Sequence, residues 1–159
     1  GLGDVYKIQF PMSTFTGIDF SLESVNRAKR MKMKLNINNV DFFLKDMNCL
    51  DFPDKYFDCL VDTQSIYYSK NYLKTFIHLK KILSDEGLLI TIPGIGDKDL
   101  ISQYINQIER SGFFIQDFEF IETKNLSKVE YLPAISCSLR KPIEKVNIDQ
   151  IINRIFDSL

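Results

Sequence analysis

Apolar and polar residues follow two periods along this chain of 159 residues, one typical of β-strands and the other of α-helices. Four short apolar runs predict strands, at Thr14–Phe20, Val40–Leu44, Phe57–Val61 and Leu88–Ile92. Apolar residues at helical spacing predict helices after three of these runs, between 22 and 35, between 72 and 83, and between 100 and 108. Strands and helices in alternation are typical of an α/β protein, so we predict a doubly wound, mostly parallel sheet with helices on its faces.

Individual residues indicate where these elements end and which of them are buried. Ser21 is a suitable N-cap for the first helix. The residues of that helix that we expect to face the core are Leu22, Val25, Ala28 and Leu35. Val40–Leu44 is apolar apart from Asp41, which is typical of a centrally buried parallel strand. Gly87 is predicted to end the second helix and Gly112 the third.

The pattern changes after Gly112. Phe113–Ile121 and Ala134–Arg140 predict two strands with no helix-length segment between them, so we expect an antiparallel hairpin. A last helix is predicted from Ile148, Ile151, Ile152, Ile155, Phe156 and Leu159. Its apolar face needs a partner, either the same domain or a second copy in a homodimer. We therefore divide the chain into a domain at 1–142 and a C-terminal helix at 143–159.

Composition and charge exclude several classes of protein. An apolar fraction of 45% and a charged fraction of 26% are typical of a globular domain. The net charge of −1 provides no global field that would attract nucleic acid or an anionic membrane. No apolar run approaches the ~20 residues that span a bilayer. Cys49, Cys59 and Cys137 lack paired metal-ligand spacing, and their odd number favours buried thiols in a reducing cytoplasm and no metal site.

Short motifs flank the predicted strands. They are Thr-Gly-Ile-Asp-Phe-Ser at 16–21, Phe-Leu-Lys-Asp-Met at 43–47, Phe-Pro-Asp-Lys-Tyr-Phe-Asp at 52–58, Ile-Leu-Ser-Asp-Glu-Gly-Leu-Leu-Ile at 82–90, Ile-Glu-Arg-Ser-Gly-Phe at 108–113 and Leu-Arg-Lys-Pro at 139–142. In this order and at these separations they resemble the motifs of class I (Rossmann-like) S-adenosylmethionine-dependent methyltransferases. The resemblance implies a Rossmann-like fold, S-adenosyl-L-methionine as cofactor and methyl transfer as the reaction.

The resemblance also implies which residues bind the adenosine part of the cofactor. Asp19 matches the acidic residue after the family's second strand, which accepts hydrogen bonds from both ribose hydroxyls; a carboxylate suits two vicinal donors. Phe20 is assigned to the same site. Asp46 matches the acidic residue that accepts from the adenine amino group, and Met47 the apolar neighbour that packs on the ring. Considered without the resemblance, Asp19 is equally suited to cap the following helix.

Residues after the family's fourth strand lie along the methionine and methyl end of the cofactor. Here they are Asp62 and Thr63, followed by Tyr67 and Tyr68, where many relatives carry histidine or another aromatic residue. The two tyrosines are candidates to line the site of the methyl group or to hydrogen bond to an acceptor. An alternative of equal weight is that one of them packs in the core and the other covers the cleft. Only a nucleophile that must lose a proton needs a general base. Because the sequence places no such base, we expect a small-molecule acceptor that is already nucleophilic or loses its proton to water.

The family's glycine-rich turn is matched only in part. Its glycines let the backbone approach the methionine part of the cofactor, at the N-terminus of a helix. Gly1 and Gly3 match the first two glycines of the motif, whereas Val5 occupies the position of the third glycine. The alternative is that Gly1 and Gly3 belong to a flexible end. The stretch from Val5 to Ser13 contains Pro11 and is too short for the family's helix. We favour a first strand that precedes Gly1 over a chain that lacks the motif.

Two functions of other classes remain open. The partial glycine motif and the apolar last helix are also typical of a non-catalytic, methyltransferase-like subunit that binds or scaffolds a partner. A nucleotide-sugar or dinucleotide enzyme likewise uses an acidic residue after its second strand. The C-terminal hairpin and the lack of an intact Gly-x-Gly-x-x-Gly motif favour the methyltransferase over that enzyme.

Overall fold

The computed structural model describes residues 12–125 and 128–157, which form two compact units that meet in sequence at Leu50 and Asp51. Parallel strands, covering helices and a C-terminal antiparallel hairpin confirm the predicted α/β class. The predictions for Gly1, Gly3 and the glycine-rich turn fall outside the described residues. No helix of the described part is long and apolar enough to cross a membrane.

Unit 1 is a βαβ motif in its described part. Its elements are β1 (Phe15–Asp19), α1 (Leu22–Lys34) and β2 (Val40–Leu44). The two strands pair in parallel, as predicted. The predicted N-cap is also present: the Ser21 side chain accepts a hydrogen bond from the Ser24 amide at 3.3 Å. Gly17 lies against the Phe42 ring, where a Cβ atom would come within 2.5 Å of a ring carbon.

Burial in unit 1 is lower than the sequence predicts. Val25 of α1 is buried, but Leu22 and Leu35 are 59% and 47% exposed. In the described part, β2 pairs only with β1, so it is not a central strand, and its residues Phe43 and Leu44 are 43% and 52% exposed. For α1 the low burial fits a two-stranded sheet, because two strands about 5 Å apart cover only a narrow stripe of a helix.

Unit 2 contains a four-stranded sheet in the order β3-β4-β6-β5. Its elements are β3 (Phe57–Thr63), α2 (Tyr72–Ile82), β4 (Leu83–Ile92), α3 (Lys98–Arg110), β5 (Phe114–Asn125), β6 (Lys128–Ser138) and α4 (Ile148–Phe156). The strands β3 and β4 are parallel, whereas β6 runs antiparallel to both β4 and β5. Among the described residues, the four predicted parallel strands pair as β1 with β2 and β3 with β4.

Two predicted boundaries in unit 2 are wrong. Gly87 does not end a helix, because β4 already begins at Leu83 and contains it. Pairing with β3 is irregular here: Phe57 lies opposite Leu83, but Cys59 lies opposite Leu88. A Cβ atom on Gly87 would come within 2.6 Å of the Leu83 side chain, so this close approach requires glycine. The hairpin strands are also longer than predicted, reaching Asn125 and starting again at Lys128.

The core of unit 2 forms between the sheet and its helices. The rings of Phe76 on α2 and Tyr104 on α3 meet edge to face with centroids 5.3 Å apart, and both residues are fully buried. In the last helix, the ring of Phe156 meets the ring of Phe120 on β5 with centroids 6.2 Å apart. Gly112, at the end of α3, has a φ of 91°, which confirms the predicted cap.

The cysteines only partly follow the prediction of buried thiols. Cys137 on the central strand β6 is buried, whereas Cys49 and Cys59 are exposed.

Candidate functional site

Two of the predicted site residues lie at the same edge of the unit 1 sheet. Asp19 is the last residue of β1, and Asp46 follows the end of β2 at Leu44. The strands are parallel neighbours, with Asp19 opposite Leu44 and the Lys45 amide donating to the Asp19 carbonyl at 3.1 Å. The carboxyl ends of adjacent parallel strands therefore bring the two acidic residues to one edge, which is where α/β sheets bind ligands.

Asp19 has one carboxylate oxygen engaged and the other open to a ligand. Oδ1 accepts a hydrogen bond from the Ser21 amide at 2.8 Å, and the side chain is half-buried. Within the described chain, Oδ2 receives no hydrogen bond. The N-cap of α1 is Ser21, so capping does not occupy Asp19. Phe20, the next residue along the chain, is 75% exposed.

Asp46 has a local structural role that the sequence analysis missed. It is the N-cap of a 3₁₀ turn at Met47–Cys49. Its Oδ1 atom accepts from the Asn48 amide at 2.8 Å and from Asn48 Nδ2 at 2.7 Å. The side chain is exposed and Met47 is half-buried.

In unit 2, Asp62 holds the turn that follows β3. Its Oδ1 atom accepts from the backbone amides of Ser65 and Ile66 at 2.9 and 3.1 Å. Gln64, inside this turn, has a φ of 65°, a left-handed conformation that few residues other than glycine adopt. The Gln64 amide donates to the carbonyl of Ile92 at the end of β4, at 2.9 Å. The Asp62 side chain thus stabilises a strained turn at the ends of two parallel strands.

A buried chain of hydroxyl groups extends from the other Asp62 oxygen. Thr91 Oγ1 donates to Asp62 Oδ2 at 3.0 Å, and the Tyr104 hydroxyl lies 2.7 Å from Thr91 Oγ1. Because the threonine proton is directed at the carboxylate, the tyrosine must donate to the threonine. Asp62 is 8% exposed, and Thr91 and Tyr104 are fully buried. The carboxylate, with three donors, is committed to holding the protein's own structure.

Burial raises the pKa of Asp62, and its hydrogen bonds from Ile66, Thr91 and Ser65 oppose the rise without cancelling it. The folded protein therefore holds this proton more tightly than the unfolded chain does. Consequently, the Asp62 contribution to stability is fully present in acid and is lost as the pH rises through the raised pKa.

We expect the substitution Asp62→Asn to change this pH dependence. Asparagine keeps an acceptor for the Ser65 and Ile66 amides, and its NH₂ group can donate to Thr91, while no charge is buried. The free energy of unfolding of the variant, minus that of the wild type, should increase as the pH is raised from acid towards neutral. Urea denaturation at a series of pH values measures this difference; a constant difference would contradict the raised pKa.

The remaining candidates lie in and after the same turn. Thr63 ends β3 and is exposed. The rings of Tyr67 and Tyr68 meet edge to face with centroids 5.5 Å apart, and the residues are 39% and 74% exposed, so neither belongs to the core. The Tyr72 hydroxyl donates to the Tyr67 carbonyl at 3.1 Å and ties the turn to the start of α2.

Comparison with known proteins identifies the family. The profile described as "Methyltransferase domain" matches residues 3–111 of the chain. No curated protein matches the sequence significantly.

Solved structures of similar fold include the cyclase SpnF, at 16% identity and a TM-score of 0.68, over 83% of this chain and 67% of the cyclase. A methyltransferase from Aquifex aeolicus, titled as dependent on S-adenosylmethionine, is 18% identical with a TM-score of 0.62, over 78% of this chain and 68% of its own. A third similar structure is a chain from a complex that contains the methyltransferase activator Trm112 of Haloferax volcanii. It is 13% identical with a TM-score of 0.69, over 80% of this chain and 72% of its own. At these identities the likeness shows the fold alone.

Proposed function

Because this chain belongs to the family of methyltransferase domains, we propose that it binds S-adenosylmethionine and transfers its methyl group to a small-molecule acceptor. The observation that carries the proposal is the open Oδ2 atom of Asp19 at the carboxyl end of β1, with Asp46 following the adjacent parallel strand. One of the similar folds is a cyclase, so the fold by itself does not imply methyl transfer.

The residues at this edge of unit 1 fit the adenosine part of the cofactor. Its two ribose hydroxyls are donors, and Asp19 would accept from them. Its adenine amino group is also a donor, which Asp46 would accept, while Phe20 and Met47 would pack on the apolar ring. When bound, S-adenosylmethionine supplies a methyl carbon whose bond to sulfur breaks as the acceptor atom bonds to it, leaving S-adenosylhomocysteine.

The residues after β3 would contribute by orientation. Holding two reactants in contact supplies about 7–11 kcal/mol in favourable cases. With three donors already on its carboxylate, Asp62 would act through the turn that it holds, not through a side-chain bond to the cofactor. A cofactor contact from Thr63 stays a prediction. Tyr67 and Tyr68 would exclude water from the reacting groups, and the acceptor proton, where there is one, would pass to water.

The test is methyl transfer by the full chain from S-adenosylmethionine with a radiolabelled methyl group to a panel of metabolites, with S-adenosylhomocysteine binding measured separately by calorimetry. We expect both binding and transfer. If the chain binds S-adenosylhomocysteine but transfers no methyl group to the metabolites, nor to proteins offered as acceptors, the non-catalytic subunit is favoured over the enzyme. That alternative has one observation in its favour: a similar fold occurs in a complex with a methyltransferase activator. Absence of binding would contradict both.

A further inference from the structure

A cavity of about 270 Å³ lies in unit 2 between the start of α2 and one face of α3. Leu100, Gln103 and Gln107 of α3 are spaced three and four residues apart, so they line the same side of that helix. Tyr67 and Tyr72 line the cavity from the turn after β3 and from α2. The cavity therefore adjoins the turn to which the proposed function assigns the reacting groups.

The chemistry of the lining selects an uncharged ligand. None of the described residues that line the cavity is a lysine, arginine, histidine, aspartate or glutamate. A charged ligand would therefore find no ion-pair partner among these side chains. The amide groups of Gln103 and Gln107 make no hydrogen bond within the described residues, and each offers both a donor and an acceptor. A matching ligand carries both kinds of group, as a carboxamide or a lactam does.

The aromatic walls of the cavity select a flat ligand. The Tyr72 ring packs edge to face on the buried Tyr104 ring with centroids 5.3 Å apart, and its hydroxyl donates to the Tyr67 carbonyl. Tyr67 in turn follows the turn that Asp62 holds. Rings fixed in this way favour stacking with a planar group. The volume is just below the roughly 300–1,000 Å³ of sites for drug-sized ligands, so one small ring system fills it.

Leu100 differs in exposure from the other apolar residues of α3. The sequence pattern places it on the apolar face of α3 with Ile101, Tyr104, Ile105 and Ile108, all of which are buried. Leu100 alone of this group is 45% exposed, and the cavity is what it lines. A ligand in the cavity would cover this apolar side chain.

We propose that this cavity binds the methyl acceptor and that the acceptor is an uncharged, planar molecule with amide-type donor and acceptor groups. The role of the ligand as methyl acceptor rests on the proposed function. The binding of such a ligand in the cavity does not depend on the proposed function. Gln103 and Gln107 set the specificity for neutral ligands, and Leu100 packs on the ring.

Benzamide and benzoate test the charge preference, because they share a ring and differ in the charge of the substituent. Ligand-observed NMR on the full chain should show benzamide binding about tenfold more tightly than benzoate, the scale of one or two hydrogen bonds.

The substitution Leu100→Trp, at an exposed position, should block the cavity and abolish benzamide binding. Gln103→Leu combined with Gln107→Leu should weaken it about tenfold. Asn106→Leu, an exposed amide of α3 that does not line the cavity, is the matched control and should leave binding unchanged.

The proposed site would be contradicted by equal binding of benzamide and benzoate, by no binding of benzamide, or by benzamide binding that survives Leu100→Trp.

The role of the cavity as acceptor site has its own readout. Methyl transfer to 3-hydroxybenzamide should exceed transfer to 3-hydroxybenzoate and should be lost in Leu100→Trp, while S-adenosylhomocysteine still binds that variant. Benzamide binding with the predicted profile but without S-adenosylhomocysteine binding would refute the proposed function and leave the cavity assignment standing.

Discussion

The substitution Asp19→Ala should weaken binding of S-adenosylhomocysteine by about 1.5–3 kcal/mol, the scale of hydrogen bonds to a charged group. The reason is that Oδ2 of Asp19 is the open acceptor at the end of β1, whereas Oδ1 is engaged by the Ser21 amide. Isothermal titration calorimetry on the full chain measures the change. S-adenosylhomocysteine suits the measurement because it carries the same ribose and cannot react.

The matched control for Asp19 is Asp41→Ala. Asp41 lies on the neighbouring strand β2, its side chain is 73% exposed, and its partner is Lys32 at 2.8 Å. This variant removes the same charge from the same small sheet and should leave the affinity unchanged. Asp19→Asn, which keeps an acceptor for the Ser21 amide, separates loss of the ligand contact from loss of the local turn. Affinities for Asp19→Ala and Asp41→Ala that agree with the wild type would reject the ribose contact.

The substitution Thr91→Val should lower the free energy of unfolding by about 2–4 kcal/mol, because two buried oxygen atoms each lose the hydrogen bond to Thr91. Asp62 Oδ2 loses its donor and the Tyr104 hydroxyl loses its acceptor, and both residues are buried. Valine fills the same volume, so the loss reports the hydroxyl and not a cavity. Urea denaturation at neutral pH measures it.

Two comparison variants make the interpretation of Thr91→Val specific. Tyr104→Phe leaves the Thr91–Asp62 bond in place and should cost only about 0.5–1.5 kcal/mol, as for a neutral hydrogen bond. Thr91→Val should also lower the free energy of unfolding by less in the Asp62→Asn variant, because residue 62 then carries no buried charge that needs the Thr91 hydroxyl. A cost for Tyr104→Phe as large as that for Thr91→Val would show that the carboxylate is not the group that matters.

Local sequence signals predicted the elements whose ends depend on nearby residues. Ser21 caps α1 and Gly112 ends α3, since both act within one turn of the chain. The start of β4 was missed because Leu83 continues the helical pattern of α2, and its position is fixed by pairing with the distant Phe57. The outer end of β5 was missed because residues 122–125 are polar and lack a period-2 pattern of apolar residues.

For the candidate site, the sequence predicted strand ends but not long-range partners. Asp19 and Asp46 were located from motifs, and their common edge follows from parallel pairing. The bond between Asp62 and Thr91 joins residues 29 positions apart, and nothing in the local pattern at either residue signals it. Leu100 belongs to the apolar pattern of α3 but is 45% exposed, because helical periodicity carries no information on where a neighbouring helix leaves a cavity.

The position of β6 has a consequence for the order in which the chain folds. This strand is the last along the chain but lies between β4 and β5 in the sheet. Its contact with β5 closes a short connection at Asn125 and Lys128, whereas its contact with β4 joins Leu88 to Ser138 across a long intervening segment. Closing a longer loop costs more entropy, so the hairpin has the easier nucleus. We therefore expect the hairpin of β5 and β6 to form before β6 pairs with β4.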